Sequence, residues 1–103
     1  MNNYKPTDRQ NKIFRECLNA VVNGPFIPTW EFSILIGLQR DEVDCILKEW
    51  PRIDIKDPKV QIAVNNALNN LTGYPINAPE QWDAFLSISK EELYQVYNEW
   101  KAS

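Results

Sequence analysis

An all-α fold of about six helices, set out as two similar three-helix units, is what this sequence predicts. Apolar residues recur at helical spacing between recognisable caps. No β-hairpin signal occurs along the chain, and the apolar pattern of the first half returns fifty residues later.

The elements follow in order. Thr7-x-x-Gln10 has the form of a capping box, and Ile13, Phe14, Cys17, Leu18, Val21 and Val22 then form one stripe until Asn23-Gly24-Pro25 stops it. Thr29 is placed to cap a short second helix bearing Trp30, Phe32, Leu35 and Ile36, which ends at Gly37. A third helix runs from about Arg40 to Trp50, with Val43, Ile46, Leu47 and Trp50 inward and Pro51 closing it. Residues 52–56 alternate polar and apolar side chains but are too few for a strand without a partner, so an extended connector is expected. Asp57-Pro58 restarts a helix whose stripe is Val60, Val64, Ala67, Leu68 and Leu71. Asn77, with Pro79 behind it, is read as opening a short helix with Trp82, Phe85 and Leu86. Ser89-x-x-Glu92 then caps a last helix whose inward face is Leu93, Val96, Tyr97 and Trp100.

A shift of fifty residues lays Phe14 on Val64, Leu18 on Leu68, Pro25 on Pro75, Ile36 on Leu86, Val43 on Leu93 and Trp50 on Trp100 without a gap. Only six of the 38 pairs between Ile13/Ala63 and Trp50/Trp100 are identical, so the matched caps, prolines and apolar positions carry the comparison. The expected arrangement is one domain over residues 1–103, with units at about 7–51 and 57–101 related by a pseudo-twofold axis. Neither unit could bury its apolar face alone. Any six-helix chain offers some shift with matching stripes, and that reading stays open here.

Composition narrows the chemistry. The chain carries 11 basic and 14 acidic residues, a formal charge of −3, and no histidine. That removes Ser-His and Cys-His dyads and histidine-ligated metals, so no catalysis and no cofactor are expected. Cys17 and Cys45 are too few for a zinc site; both are read as small core residues on helical stripes, with a disulfide between them as the lesser alternative. Residues 1–6 lack the apolar core of a signal peptide and no run is long enough to span a bilayer, so a cytoplasmic location away from membranes is expected.

Residues 1–60 balance nine acids against nine bases, whereas 61–103 hold five acids and two bases, so the second half carries the whole net charge. Glu80, Asp83 and Glu91 there, with Asp41 and Asp44 earlier, are candidates for attracting a basic partner; the plainer reading is that they complement helix N-termini. Trp30 and Tyr74, like Tyr4 and Tyr94, are aromatics that the stripes do not use, and are candidate anchors. Asn65, Asn66, Asn69 and Asn70 fall on a strip read as lying opposite the Val64-Leu68-Leu71 stripe. Asn66, Asn69 and Asn70 are therefore either locally bonded or a polar interface. The basic stretch Lys5, Arg9, Lys12 and Arg15 is interrupted by Asp8 and Glu16, and the overall field repels phosphate, so nucleic acid is not an expected partner.

The run from Val64 to Pro75 resembles a pattern found in small all-α bacterial proteins of this length. In size, acidity and helical character the whole chain resembles the immunity proteins that bacteria make against toxins. That resemblance implies an antitoxin-type inhibitor that covers a basic toxin or nuclease domain by blockade, with no family site residues to carry over. The alternatives are a structural or homodimerising module without a toxin partner, and a helical domain that binds a small molecule between the two units.

Overall fold

Thr7 opens the first helix by a reciprocal pair of bonds: its hydroxyl accepts the Gln10 N–H at 3.1 Å and the Gln10 side-chain oxygen accepts the Thr7 N–H at 2.9 Å. The computed structural model describes residues 6–73 and 75–102. Within them α1 spans Asp8–Asn23, α2 Phe32–Ile36, α3 Arg40–Glu49, α4 Pro58–Gly73, α5 Trp82–Phe85 and α6 Lys90–Ala102. Short 3₁₀ turns, Thr29–Glu31 and Pro79–Gln81, lead into α2 and α5, and no strand occurs among the described residues. The fold is all-helical, as the periodicity predicts.

The two longest helices, α1 and α4, pack on each other at the centre. Helix α3 lies against α1 and α6 against α4, whereas the short helices cross over: α2 packs on α4 and α5 on α1. The core so formed buries Phe14, Leu18 and Val21 of α1 with Val64, Leu68 and Leu71 of α4, and Val43 of α3 with Leu93 and Trp100 of α6. Phe14 and Trp100 meet edge to face, with ring centroids 5.4 Å apart. Elements begin at Asp8 and Pro58, Thr29 and Pro79, Phe32 and Trp82, and Arg40 and Lys90, each pair separated by fifty residues.

Caps account for the boundaries. The Asp57 carboxylate accepts the Lys59 N–H at 2.9 Å while Pro58 takes the first helical position, where its missing N–H costs nothing. Ser89 accepts the Glu92 N–H at 3.1 Å to start α6, and the Glu42 carboxylate accepts the Gln39 N–H at 3.0 Å to start α3. Helix α2 stops at Gly37, whose φ of 84° is the left-handed region that glycine enters at little cost.

Four local expectations are corrected. Thr29 does not cap: Glu31 donates to the Pro28 carbonyl at 3.0 Å, so the 3₁₀ turn starts one residue earlier than a Thr29 cap requires. Asn77 does not open the short helix either: Ala78, at φ 49°, takes the cap position, and Asn77 lies one residue outside it, where its N–H donates to the Phe26 carbonyl at 3.1 Å. The connector at 52–56 is coiled into turns, since Asp54 accepts the Lys56 N–H through its side chain and the Asp57 N–H through its carbonyl, both at 2.9 Å. Cys45 is exposed while Cys17 is buried, and both thiols are free, so there is no disulfide. Cys45 stands two residues past Val43, about 200° around the helix from the buried face.

Candidate functional site

Helix α2 and its 3₁₀ lead-in form a short rod held from beneath. Phe32 and Ile36, one turn apart, point into the core and are 2% and 0% exposed. Positions 30 and 34, also one turn apart, therefore face out. Trp30 is 75% exposed and Ile34 77% exposed, the two largest values among the big apolar side chains of the described residues. An indole and a sec-butyl group one turn apart, both mostly in water, bury little in the monomer and leave an exposed apolar patch.

The rod is fixed at both ends. Arg40 stacks its guanidinium 4.5 Å from the centre of the Phe32 ring and donates to the Val22 carbonyl, tying the start of α3 to α1 and α2 together. At the other end α4 supplies two amides: Asn66 donates to the Ile36 carbonyl at 2.7 Å and Asn70 to the Leu35 carbonyl at 3.1 Å. These satisfy carbonyls that the end of a helix leaves open. Asn66 and Asn70 of the asparagine strip thus lie under α2, which covers that face of α4. Asn70 is only 3% exposed, Asn66 is half-buried, and Asn65 donates to Asn66. Burial removes Asn70 from any free polar interface, and Asn66 is already engaged inside the fold. Asn69 is half-buried.

The corresponding segment of the second half, Pro79–Gln81 with α5, is braced differently. Trp82 donates its indole N–H to the Ile88 carbonyl at 2.8 Å, and the Glu16 carboxylate accepts the Ser87 N–H at 2.8 Å and its hydroxyl at 2.9 Å. Phe26 packs edge to face on Phe85, with centroids 5.5 Å apart. Outward here are Glu80 and Asp83, both exposed. The two short rods therefore carry unlike surfaces, apolar on the first and acidic on the second.

The remaining acids differ in how free they are. Asp41 and Asp44 line one surface depression of about 490 Å³ with Val22, Asn23, Gln39 and Arg40. Asp44 is half-buried and paired with Lys48 at 2.9 Å, a contact that raises the Lys48 pKa, so a basic partner would compete with Lys48 for it. Asp41 is exposed and accepts the Glu42 N–H at 3.0 Å. Glu42 accepts from the Gln39 backbone and from Lys59 at 3.0 Å; these bonds, the backbone one first, hold its carboxyl below the ordinary value. Glu91 is exposed in the first turn of α6. Tyr74 lies outside the described residues.

Burial pushes the Cys17 thiol far above its ordinary range, with the nearby Glu16 charge adding to it, which suits a packed side chain and not a nucleophile. Among the described residues no group of three His, Cys, Asp or Glu side chains could hold a metal ion, and no helix is long and apolar enough to cross a membrane.

Two features escaped the sequence reading. Ile34 was hidden inside the apolar run Ile34-Leu35-Ile36; its position midway between inward Phe32 and Ile36 is the signal that would have found it. The second is a cavity of about 190 Å³ where the turn at 26–31 meets the turn at 75–77, which depends on contacts no periodicity encodes. No family model, no curated protein and no solved structure matches this chain.

Proposed function

We propose that this chain is a protein-binding domain with no chemistry of its own. It would act as an antitoxin-type inhibitor, in the cytoplasm, that covers a basic toxin or nuclease domain. The observation that carries the reading is the Trp30–Ile34 pair, held outward on a rod whose other face is locked into the core. A rigid aromatic anchor loses little conformational entropy on docking, which is why such residues dominate binding energies. Exposed Asp41, Glu80, Asp83 and Glu91 supply the charge that speeds encounter with a basic surface.

The same account includes a duplicated architecture, two helix–rod–helix units about a pseudo-twofold axis. Its support is the fifty-residue spacing of element starts and the reciprocal crossing of α2 onto α4 and α5 onto α1. Equivalent pairs such as Phe14 and Val64, Leu18 and Leu68, Val43 and Leu93, and Trp50 and Trp100 are buried together. On this view the units have kept their shared interior and diverged outside, one rod becoming an apolar anchor and the other an acidic face.

The test is affinity capture from the source cell with the native chain and with a Trp30→Ala/Ile34→Ser chain. The inhibitor reading expects a basic protein retained by the first and lost from the second, in a salt-sensitive complex. The same apolar pair also favours a second reading, a homodimer joined through an isologous Trp30–Ile34 contact. Sedimentation that gives a dimer for the native chain and a monomer for the double variant would select it.

A further inference from the structure

Of the eleven asparagines in the chain, Asn23 alone precedes a glycine. Such a pair carries its own chemistry: the glycine nitrogen can attack the asparagine side-chain carbon, because no second side chain hinders the approach and the glycine backbone turns freely. The end of α1 makes this glycine necessary. A Cβ at position 24 would collide with the Ala20 carbonyl oxygen and stand 3.1 Å from the Phe26 ring.

The same helix end keeps the two reacting groups apart. Gly24 gives its N–H to the Ala20 carbonyl at 2.9 Å, so the attacking nitrogen is tied into the cap. Asn23 is the last residue of α1, and helical ψ turns the next nitrogen away from the asparagine's own side chain. Its amide nitrogen also donates to Asn19 Oδ1, one turn back, at 2.9 Å. Asn23 is exposed, however, so water meets the pair as soon as this turn opens, and helix ends open locally at small cost.

We propose that Asn23–Gly24 is a deamidation site gated by the cap of α1. When the turn opens, the Gly24 nitrogen gives up its proton to hydroxide and bonds to Asn23 Cγ; the Cγ–Nδ2 bond breaks, and the amide takes a proton from water and leaves as ammonia. Water then opens the cyclic imide at one of its two carbonyls, leaving either aspartate or an isoaspartate whose main chain runs through the side-chain carbon. The product fits the helix end poorly. A carboxylate has no N–H for Asn19, lies at the negative end of a helix with no base in its last turn, and shares its depression with Asp41 and Asp44. Arg40, which lines the same depression, is engaged by the Val22 carbonyl and the Phe32 ring. One opening thus becomes a permanent loosening of the joint between α1 and the first rod.

The experiment ages the full chain in mildly alkaline buffer, with and without guanidinium chloride, and follows the intact chain and its peptides by mass spectrometry. In denaturant the peptide holding residues 23–24 is expected to convert first, to both aspartate and isoaspartate, and in the folded chain the same conversion should run at least about tenfold slower. Asn23→Gln should lose that early conversion in denaturant. Asn23→Asp, which carries the product's charge, should melt at least about 2 °C below the native chain. Equal rates with and without denaturant, first conversion at another asparagine, early conversion retained in Asn23→Gln, or an Asn23→Asp chain that melts no lower than the native one would each overturn the proposal.

Discussion

Glu16 on α1 and Ser87, 71 positions further on, are joined by a carboxylate that receives both the backbone N–H and the hydroxyl of the serine. Fifty residues after Glu16, Asn66 makes the counterpart contact by donating to the carbonyl of Ile36, the residue that matches Leu86. Each long helix thus holds the end of the other half's short rod, once by accepting and once by donating. Glu16→Ala should destabilise the chain by about 0.5–1.5 kcal/mol in urea denaturation, because it removes two bonds to a charged acceptor at the exposed end of α5. A change below about 0.3 kcal/mol would mean that packing and the Trp82 indole bond hold α5 without it.

Asn66→Ala and Asn70→Ala each exchange a poor helix former for the best one, a gain of about 0.5 kcal/mol on a solvated face. Both asparagines instead satisfy carbonyls at the end of α2. Each replacement is therefore expected to cost a net of about 1–2 kcal/mol, read from the urea midpoint. An increase in stability would show that those carbonyls are satisfied equally well by water.

The two tryptophans at the extremes of exposure should separate stability from recognition. Trp100 is fully buried against Phe14, and Trp100→Ala is expected to cost about 3–5 kcal/mol, enough to unfold much of the population at room temperature. Trp30→Ala should stay within about 0.5 kcal/mol of the native chain, since the indole stands in water. Thermal melts of the two variants, recorded side by side, check the contrast.

Thiol accessibility gives a direct reading of α3. One thiol, Cys45, should react at once with a water-soluble disulfide reagent in the folded chain, and Cys17 only on unfolding. Immediate reaction of both would place Cys17 outside the core.

The Glu42 carboxyl titrates below its ordinary value of 4.5, chiefly because it accepts the Gln39 N–H and then because of Lys59. A depressed folded-state pKa contributes stability that is full above the unfolded value and is lost as the pH falls through the folded one. Stability should therefore drop as the pH is lowered from about 4.5, and Glu42→Gln should reduce that dependence. Denaturation midpoints of both chains across the acid range check it.

Much of this fold was legible because the signals are local. Thr7, Asp57 and Ser89 announce their caps by side-chain type, and the stripes from Ile13 to Val22 and from Leu93 to Trp100 announce the buried faces. What escaped was decided by distant partners. Asn77 looks like a cap until Ala78 is seen to take that position, and the asparagine strip can be read as locally bonded or as a polar interface until α2 is laid over Asn66 and Asn70. The candidate surface was half visible: Trp30 stood out as an unused aromatic, but Ile34 had no assigned face until Phe32 and Ile36 fixed which way the rod points, and Asp44 read as an unpaired acid until Lys48 was seen beside it.

Binding of the captured basic partner to the native chain and to the Trp30→Ala/Ile34→Ser chain, measured by calorimetry at low and at physiological salt, bears most directly on the proposal that this exterior exists to be recognised. The account predicts tight, salt-weakened binding that falls at least about a hundredfold in a double variant of unchanged melting temperature. Equal affinity of the two chains for that partner would contradict it.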